Sequence, residues 1–185
     1  KFNDAITIYQ QLYKKHPDRV EYLFSESDAL LMQGKLQEAI KVYDEIEKHI
    51  GVSREMTQQK QRLYLKMGKV NEAAAELEKL IKSEPDNLDN YSLLVELWQV
   101  NGKTDKAMET IHRMQAIDPE NPNIALALAE QYRSEGKRAE SFEELKKAFS
   151  SPQLPSEVKI RILTSYLPLV ETSPEMLDQS LELSK

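Results

Sequence analysis

The fold is decided by the stretch YSLLVELWQVNGKTDKAMETIHRMQAIDP, residues 91–119. Its centre, Gly102-Lys103, separates two segments in which apolar side chains recur at the spacing of an amphipathic α-helix. Glycine is suited to ending a helix because it adopts positive φ without a steric penalty. Pro119 then stops the second segment. The stretch therefore predicts two helices joined by a tight turn.

The same turn recurs along the chain, each glycine standing 34 residues after the previous one. The four copies are Gly34-Lys35, Gly68-Lys69, Gly102-Lys103 and Gly136-Lys137. A small residue follows each glycine in the second helix, at Ala39, Ala73, Ala107 and Ser141, and Ala5 occupies the same column one period earlier. Four residues before each glycine stands a leucine or an aromatic residue: Leu30, Tyr64, Trp98 and Tyr132. Repetition at this period is the signature of a solenoid.

The repeats must stack, because one helix pair cannot bury both of its faces. The small residue in each second helix allows the partner helix to approach closely. Asn121 followed by Pro122 reads as an N-cap with proline at the first helical position, and Ser173-Pro174 reads in the same way. The sequence therefore predicts an all-α protein, an α-solenoid of stacked antiparallel helix pairs.

These columns resemble the tetratricopeptide repeat, whose period is 34 residues. The residues that match best are Tyr91, Leu94, Trp98, Gly102, Ala107, Ile111, Met114 and Pro119. The resemblance extends from residue 1 to about 155 and implies a right-handed superhelix. Four residues depart from it. Glu26 and Lys60 occupy the column that Leu94 and Leu128 fill in the later repeats, and Gly51 and Gln153 stand in the terminal proline column.

The repeat positions predict a single tetratricopeptide domain over residues 1–185. Its parts are a lone second helix at 1–19, full repeats at 20–53, 54–87, 88–121 and 122–155, and a degenerate repeat or C-terminal cap at 156–185. Because residue 1 is Lys and a helical pattern begins at once, from Phe2 to Lys15, we expect the chain to be a fragment of a longer protein.

Composition excludes several classes of function. The 185 residues contain no Cys, so disulfides, thiolate metal sites and Cys nucleophiles are absent. The net charge of −6 argues against binding to nucleic acid, where each neutralised phosphate requires a cation. No apolar run approaches the ~20 residues that cross a membrane, so no direct membrane insertion is expected. The three histidines lack ligand-spaced partners, and we expect no metal, cofactor or enzymatic activity.

The resemblance implies that the first helices of the pairs line a concave groove that binds a peptide or helix. We therefore predict a non-catalytic protein–protein interaction scaffold. Ionisable residues along such a groove could recognise a basic peptide, and an arginine could bind a carboxylate through two parallel hydrogen bonds. The candidate groove residues are Phe24, Asp28, Leu31, Gln58, Arg62, Ser92, Glu96, Glu130 and Arg133.

Other interpretations of the same residues remain open. Asp28, Arg62 and Glu96 could form an ion-pair ladder on an ordinary solvated face, where such pairs contribute only ~0–1 kcal/mol. The apolar group Phe24, Leu31 and Met32 could pack against a first helix that precedes the chain. A further column of carboxylates begins the first helices, where a negative charge offsets the helix dipole without any ligand. Its members are Glu21, Glu55, Asp89 and Glu157.

Three alternative roles follow from the architecture. The chain could be a regulatory or spacer domain of a larger protein, either an enzyme or an envelope assembly factor, or it could self-associate through its end faces. A co-chaperone clamp for acidic tails is disfavoured, since only Arg62 in the matching columns is a cation. The Lys- and Glu-rich repeats resemble in style those of bacterial envelope tetratricopeptide lipoproteins, but the sequence assigns no compartment.

Overall fold

The computed structural model describes residues 1–170 and 174–184, with side chains for residues 1–165 and 177–184, and the regular structure in this part is entirely α-helical. The helices are α1 (Phe2–Lys15), α2 (Glu21–Met32), α3 (Leu36–Ile50), α4 (Arg54–Lys66), α5 (Val70–Ser83), α6 (Leu88–Val100), α7 (Thr104–Ile117), α8 (Pro122–Ser134), α9 (Arg138–Ser150), α10 (Ser156–Val170) and α11 (Pro174–Leu183). The helix predicted from Phe2 to Lys15 is confirmed as α1. Each predicted full repeat contains two helices.

The Gly-Lys turns share one hydrogen-bonding pattern. Gly102 has φ 65°, its amide donates to the Gln99 carbonyl at 3.0 Å, and the Lys103 amide donates to the Trp98 carbonyl at 2.8 Å. This pair of bonds is the Schellman motif, in which a left-handed residue satisfies carbonyls left free at a helix end. The same two bonds form at Gly34, Gly68 and Gly136, where φ is 72°, 72° and 76°. The prediction that glycine ends each first helix is confirmed.

The start of α8 is also as predicted. Asn121 is the N-cap, with its side-chain Oδ1 accepting from the Asn123 amide at 3.0 Å, and Pro122 takes the first helical position. Helix α11 begins at Pro174, but the N-cap predicted at Ser173 lies outside the described residues.

The small-residue column lies at the contact between paired helices. Ala39, Ala73 and Ala107 are fully buried, and Ser141 is nearly so. The Ser141 hydroxyl donates to the Ala129 carbonyl at 2.7 Å, a bond between α9 and α8 that only a close helix approach allows. This confirms the predicted role of the column.

Replacing Ala73 with leucine is expected to lower the free energy of unfolding by ~1–3 kcal/mol, because the site has no room for a larger side chain. Urea unfolding followed by circular dichroism measures the change. Ala75→Leu is the matched control, since Ala75 lies on the same helix and is exposed. Equal stability of the two variants would contradict the assigned register.

The described chain divides into two compact units, residues 1–97 and 98–185, and the division falls within α6. In residues 1–97, helix α1 contacts α2, α2 contacts α3, α3 contacts α4, and α4 contacts α5. Buried apolar side chains of α1 to α4 form two groups: Ile6, Ala29, Leu30 and Ala39, and Leu23, Tyr43, Ile46 and Met56.

Residues 98–185 form the second unit, in which α8 packs on α7 and α9, and α11 returns onto α9 and α10. Its apolar group contains Ala148, Phe149, Leu154 and Leu183. Lys146 of α9 also lies 3.5 Å from the Glu182 carboxylate of α11. The last helix therefore covers apolar surface of the preceding repeat.

Candidate functional site

The nine candidate groove residues are exposed or half-buried, as a binding surface requires. Seven of them lie in residues 1–97, on the first helices α2, α4 and α6, and Glu130 and Arg133 lie on α8 in the second unit. The use of these residues in binding stays a prediction.

A groove of about 300 Å³ opens in the first unit, beside α2. Phe24, Asp28 and Leu31 line it together, because residues spaced by three and four positions share one face of a helix. The rest of its lining comes from neighbouring helices: Ser27, Tyr43, Ile50, Ser53, Glu55, Met56 and Gln59. None of these residues was among the nine predicted groove residues, although Glu55 belongs to the carboxylate column at the start of the first helices.

The groove receives different residues from α4 than the columns predicted. Met56 and Gln59 line it, whereas Gln58 and Arg62 do not. Gln58 is half-buried and Arg62 is exposed. Advancing by one residue turns the side chain about 100° around a helix, so the neighbour of a predicted position can face another surface.

The proposed ion-pair ladder is not formed. Among the side chains of residues 1–165 and 177–184, no ion pair includes Asp28, Arg62 or Glu96. Glu130 and Arg133 do pair, but with each other on α8, at 2.6 and 2.9 Å. The charged column of the first unit is thus solvent-facing and not neutralised by its own neighbours.

A second depression, of about 490 Å³, lies in the second unit where α7 ends and α8 begins. Its lining includes Gln115, Asn121, Ile124 and Lys147, and none of the nine candidate residues. The only cation in this lining, Lys147, already bonds Glu144 at 2.6 Å. Among the charged residues that line the second depression, Glu120 alone has no ion-pair partner in the described part of the chain.

The first unit also contains a buried charge cluster that the sequence did not predict. Lys60 is fully buried, and its Nζ lies 2.5 Å from Asp44, 2.9 Å from Glu47 and 2.6 Å from Glu76. The exposed Lys79 contributes a second cation, 2.9 Å from Glu76. Buried charges persist only when they are paired. The lysine that departs from the leucine column is therefore held by carboxylates of α3 and α5.

Burial lowers the pKa of Lys60, but hydrogen bonds to Asp44, Glu76 and Glu47 outweigh it and hold the pKa above its usual value. The raised pKa of Lys60 therefore contributes stability that is fully present below the unfolded-state pKa of about 10.4. That stabilisation is lost only as the pH rises through the folded-state pKa.

The same three carboxylates could hold a metal ion by geometry alone, since their oxygens lie within 4.8 Å of one another. The position between them is taken by the Lys60 ammonium, which bonds all three. A divalent cation would have to displace this buried lysine. The cluster thus explains why a lysine can stand at a position where the two following repeats have leucine: Lys60 has a structural role.

The glycine turns, the small column and the paired helices match known proteins. Two family models of the tetratricopeptide repeat match residues 1–51 and 64–131, and together they span more than half of the chain. The chain belongs to the tetratricopeptide repeat family. The family resemblance drawn from the Gly-Lys columns is thereby confirmed.

Solved structures share the fold of this tetratricopeptide repeat protein. A crystal structure of MamA is 23% identical, with a TM-score of 0.50 and coverage of 80% of this chain and 86% of that chain. TTC0263, a thermophilic TPR protein in Thermus thermophilus, is 19% identical, with a TM-score of 0.52 and coverage of 90% and 91%. No curated protein matches the sequence significantly. The likeness shows the fold, which confirms the predicted α-solenoid.

A tetratricopeptide fold is typically a non-catalytic scaffold for protein–protein interaction, and the repeats support that role here. The Tyr13 hydroxyl lies 2.6 Å from Nε2 of His49, a contact between α1 and α3. Burial and the charge of Glu45 raise the pKa of Tyr13.

None of the helices in residues 1–170 and 174–184 has the length and hydropathy of a membrane-spanning segment.

Proposed function

We propose that this tetratricopeptide repeat protein binds a peptide or helix of a partner protein along the first helices of residues 1–97, with the groove beside α2 as its principal contact. The main support for this proposal is an exposed apolar surface beside a carboxylate that has no ion-pair partner among the described side chains. Phe24 is 41% exposed and Ile50 is 54% exposed, and both line the groove with Asp28.

The repeat columns indicate that this apolar surface is not needed for folding. At the position of Ile50, the next two repeats carry Glu84 and Asp118. At the position of Phe24 they carry Gln58 and Ser92. Since those repeats form their helix pairs with polar residues, the apolar side chains of the first repeat are surplus to helix pairing. Contiguous exposed apolar surface is typical of an interaction site.

The remaining candidates extend the proposed surface. Arg62 and Glu96 are exposed on α4 and α6, and their charged groups could form ion pairs or hydrogen bonds with a partner. Charge complementarity of this kind contributes mainly to specificity and association rate. The apolar contact with Phe24 and Ile50 would contribute most of the affinity, since anchors that become fully desolvated dominate binding.

Photo-crosslinking in the source cell tests the proposal. A benzophenone amino acid at Gln59, which is exposed in the groove, is expected to capture a partner protein, whereas the same probe at Lys41, exposed on the second helix α3, is not. Equal capture at the two positions would place binding outside the groove. Capture at neither would contradict the proposal.

The apolar contact is tested in the same cells with Phe24→Ser and Ile50→Ser combined. Loss of a well-packed anchor is expected to weaken partner binding about tenfold or more. Met32→Ser is the matched control, because Met32 is an exposed apolar residue of α2 that does not line the groove. Circular dichroism verifies that the variants remain helical. Equal binding by the control and the double variant would count against the groove.

A further inference from the structure

We infer that the segment bound in the α2 groove carries an apolar side chain next to a lysine or arginine. The inference rests on the proposed function, since it names the chemistry of the partner at the same site. It follows from three features of the groove: its apolar floor, its two carboxylates and its lack of any cationic lining residue.

The floor of the groove suits a small number of apolar side chains. Phe24, Leu31, Ile50 and Met56 contribute carbon surface to it, and Tyr43 adds an aromatic ring. A volume of about 300 Å³ lies at the lower limit of small-ligand pockets, so it fits one or two anchoring side chains of a segment. Burial of apolar surface at these residues provides a driving force that is independent of charge.

The rim of the groove is negative. Asp28 and Glu55 both line it, both are exposed, and neither belongs to an ion pair of the described side chains. No lysine, arginine or histidine is among the lining residues. A cation of the partner would therefore meet two carboxylates that have no intramolecular competitor. A partner carboxylate at the same place would be repelled.

Lys48 and Arg54, two cations close in sequence to Glu55, do not line the groove. Lys48 bonds Glu45 at 2.6 Å. Arg54 lies close enough to Glu84 to help lower its pKa, behind the larger effect of hydrogen bonds from Asn87 and Asn90. Neither Lys48 nor Arg54 forms an ion pair with Asp28 or Glu55 among the described side chains.

The negative charge reaches the apolar floor. Tyr43 is buried there, and its pKa is raised mainly by burial and further by the charge of Asp28, against a hydrogen bond with Ser27 that lowers it. Asp28 and Tyr43 also line the same groove. An apolar side chain that rests on the Tyr43 ring and a cation that pairs with Asp28 would therefore come from neighbouring residues of the partner.

A set of four fluorescent synthetic peptides tests this chemistry. They share one neutral backbone and differ only at an adjacent pair of residues: Leu-Lys, Leu-Glu, Ser-Lys or Ser-Glu. Fluorescence polarisation with the full chain gives each dissociation constant. We expect the Leu-Lys peptide to bind at least about tenfold more tightly than the other three, as one good anchor or charge contact is sufficient for that factor.

A charge reversal in the groove supplies the decisive comparison. The double variant Asp28→Lys and Glu55→Lys is expected to prefer the Leu-Glu peptide. The control Glu72→Lys and Glu109→Lys changes the net charge equally at exposed carboxylates outside the groove, and it should keep the Leu-Lys preference. A Leu-Lys preference that survives the groove reversal would overturn the inference.

The outcomes also separate the inference from the proposed function. If none of the peptides binds while Gln59 still captures a partner in cells, the partner chemistry is wrong and the groove remains the binding site. If Gln59 captures nothing either, the proposed function fails with it. A dimer in sedimentation velocity that Phe24→Ser and Ile50→Ser dissolve would show that a second copy of the chain occupies the groove, which would also overturn the inference.

Discussion

Replacing Lys60 with leucine is expected to lower the free energy of unfolding by about 3–5 kcal/mol, although leucine is the residue at the same position of the two following repeats. The reason is that Glu47 and Glu76 are nearly buried and would lose the ammonium that lies 2.9 and 2.6 Å from them. Removing one partner of a buried ion pair leaves an uncompensated charge, which is far more destabilising than removing the pair.

A triple variant separates the value of the cluster from the penalty of breaking it. Lys60→Leu is combined with Glu47→Ile and Glu76→Val, substitutions that copy Ile81 and Val42 from the equivalent positions of neighbouring repeats. Its stability should return to within about 1 kcal/mol of the wild type, because well-packed apolar residues of similar size can replace a buried ion group without net loss. Urea unfolding monitored by circular dichroism measures both variants.

Lys79→Leu is the matched control for charge at this site. Lys79 also bonds Glu76, at 2.9 Å, but its side chain is about half exposed, so its loss should change stability by only ~0–1 kcal/mol. An equal effect of the Lys60 and Lys79 substitutions, or a triple variant as unstable as the single one, would show that burial of Lys60 is not the source of the effect.

The buried cluster belongs to a contact that recurs between repeats. Glu26 accepts a hydrogen bond from Gln10 at 2.7 Å, and one period later Lys60 bonds Asp44 at 2.5 Å. In both contacts a first helix reaches the preceding second helix at the same pair of positions. The column that carries these contacts changes from polar to apolar with Leu94. The same position of the first helix therefore accommodates a hydrogen-bonded glutamate, a lysine in a cluster of ion pairs, or a leucine.

The helix ends could be predicted from the sequence because local chemistry determines them. A glycine with positive φ and an asparagine before a proline each specify a turn within a few residues, which is why Gly102 and Asn121 lie where they were expected. The partners of Lys60 could not be predicted in this way. Glu76 lies on the partner helix of the same pair and Asp44 on the preceding pair, so both meet the lysine only after the helices have packed.

The groove shows the same distinction. Phe24, Asp28 and Leu31 were found because three- and four-residue spacing places them on one face of α2. Tyr43 and Met56 were not among the predicted groove residues, and both are buried. They line the groove because the helices around it leave a gap there. The spacing of the repeats along the sequence does not show where such gaps occur.

Trp98→Ala is expected to lower the free energy of unfolding by about 3–5 kcal/mol, as is usual when a large buried aromatic side chain is removed. The indole is only 7% exposed, near the end of α6. Val100→Ala is the matched control: Val100 lies on the same helix but is 79% exposed, so its truncation should change little. Because Trp98 is the only tryptophan, circular dichroism must be the measurement in place of fluorescence.

A double-mutant cycle with Lys106→Met separates the two contributions of Trp98. The Lys106 Nζ lies 4.4 Å from the ring centroid, a cation–π geometry that contributes about 0.5–2 kcal/mol. The cycle should therefore return a coupling energy within that range, and most of the loss in Trp98→Ala should persist in the Lys106→Met background. That result would assign the loss to the packing of the indole. A coupling energy that accounts for the whole effect would instead assign it to the contact of the indole with Lys106.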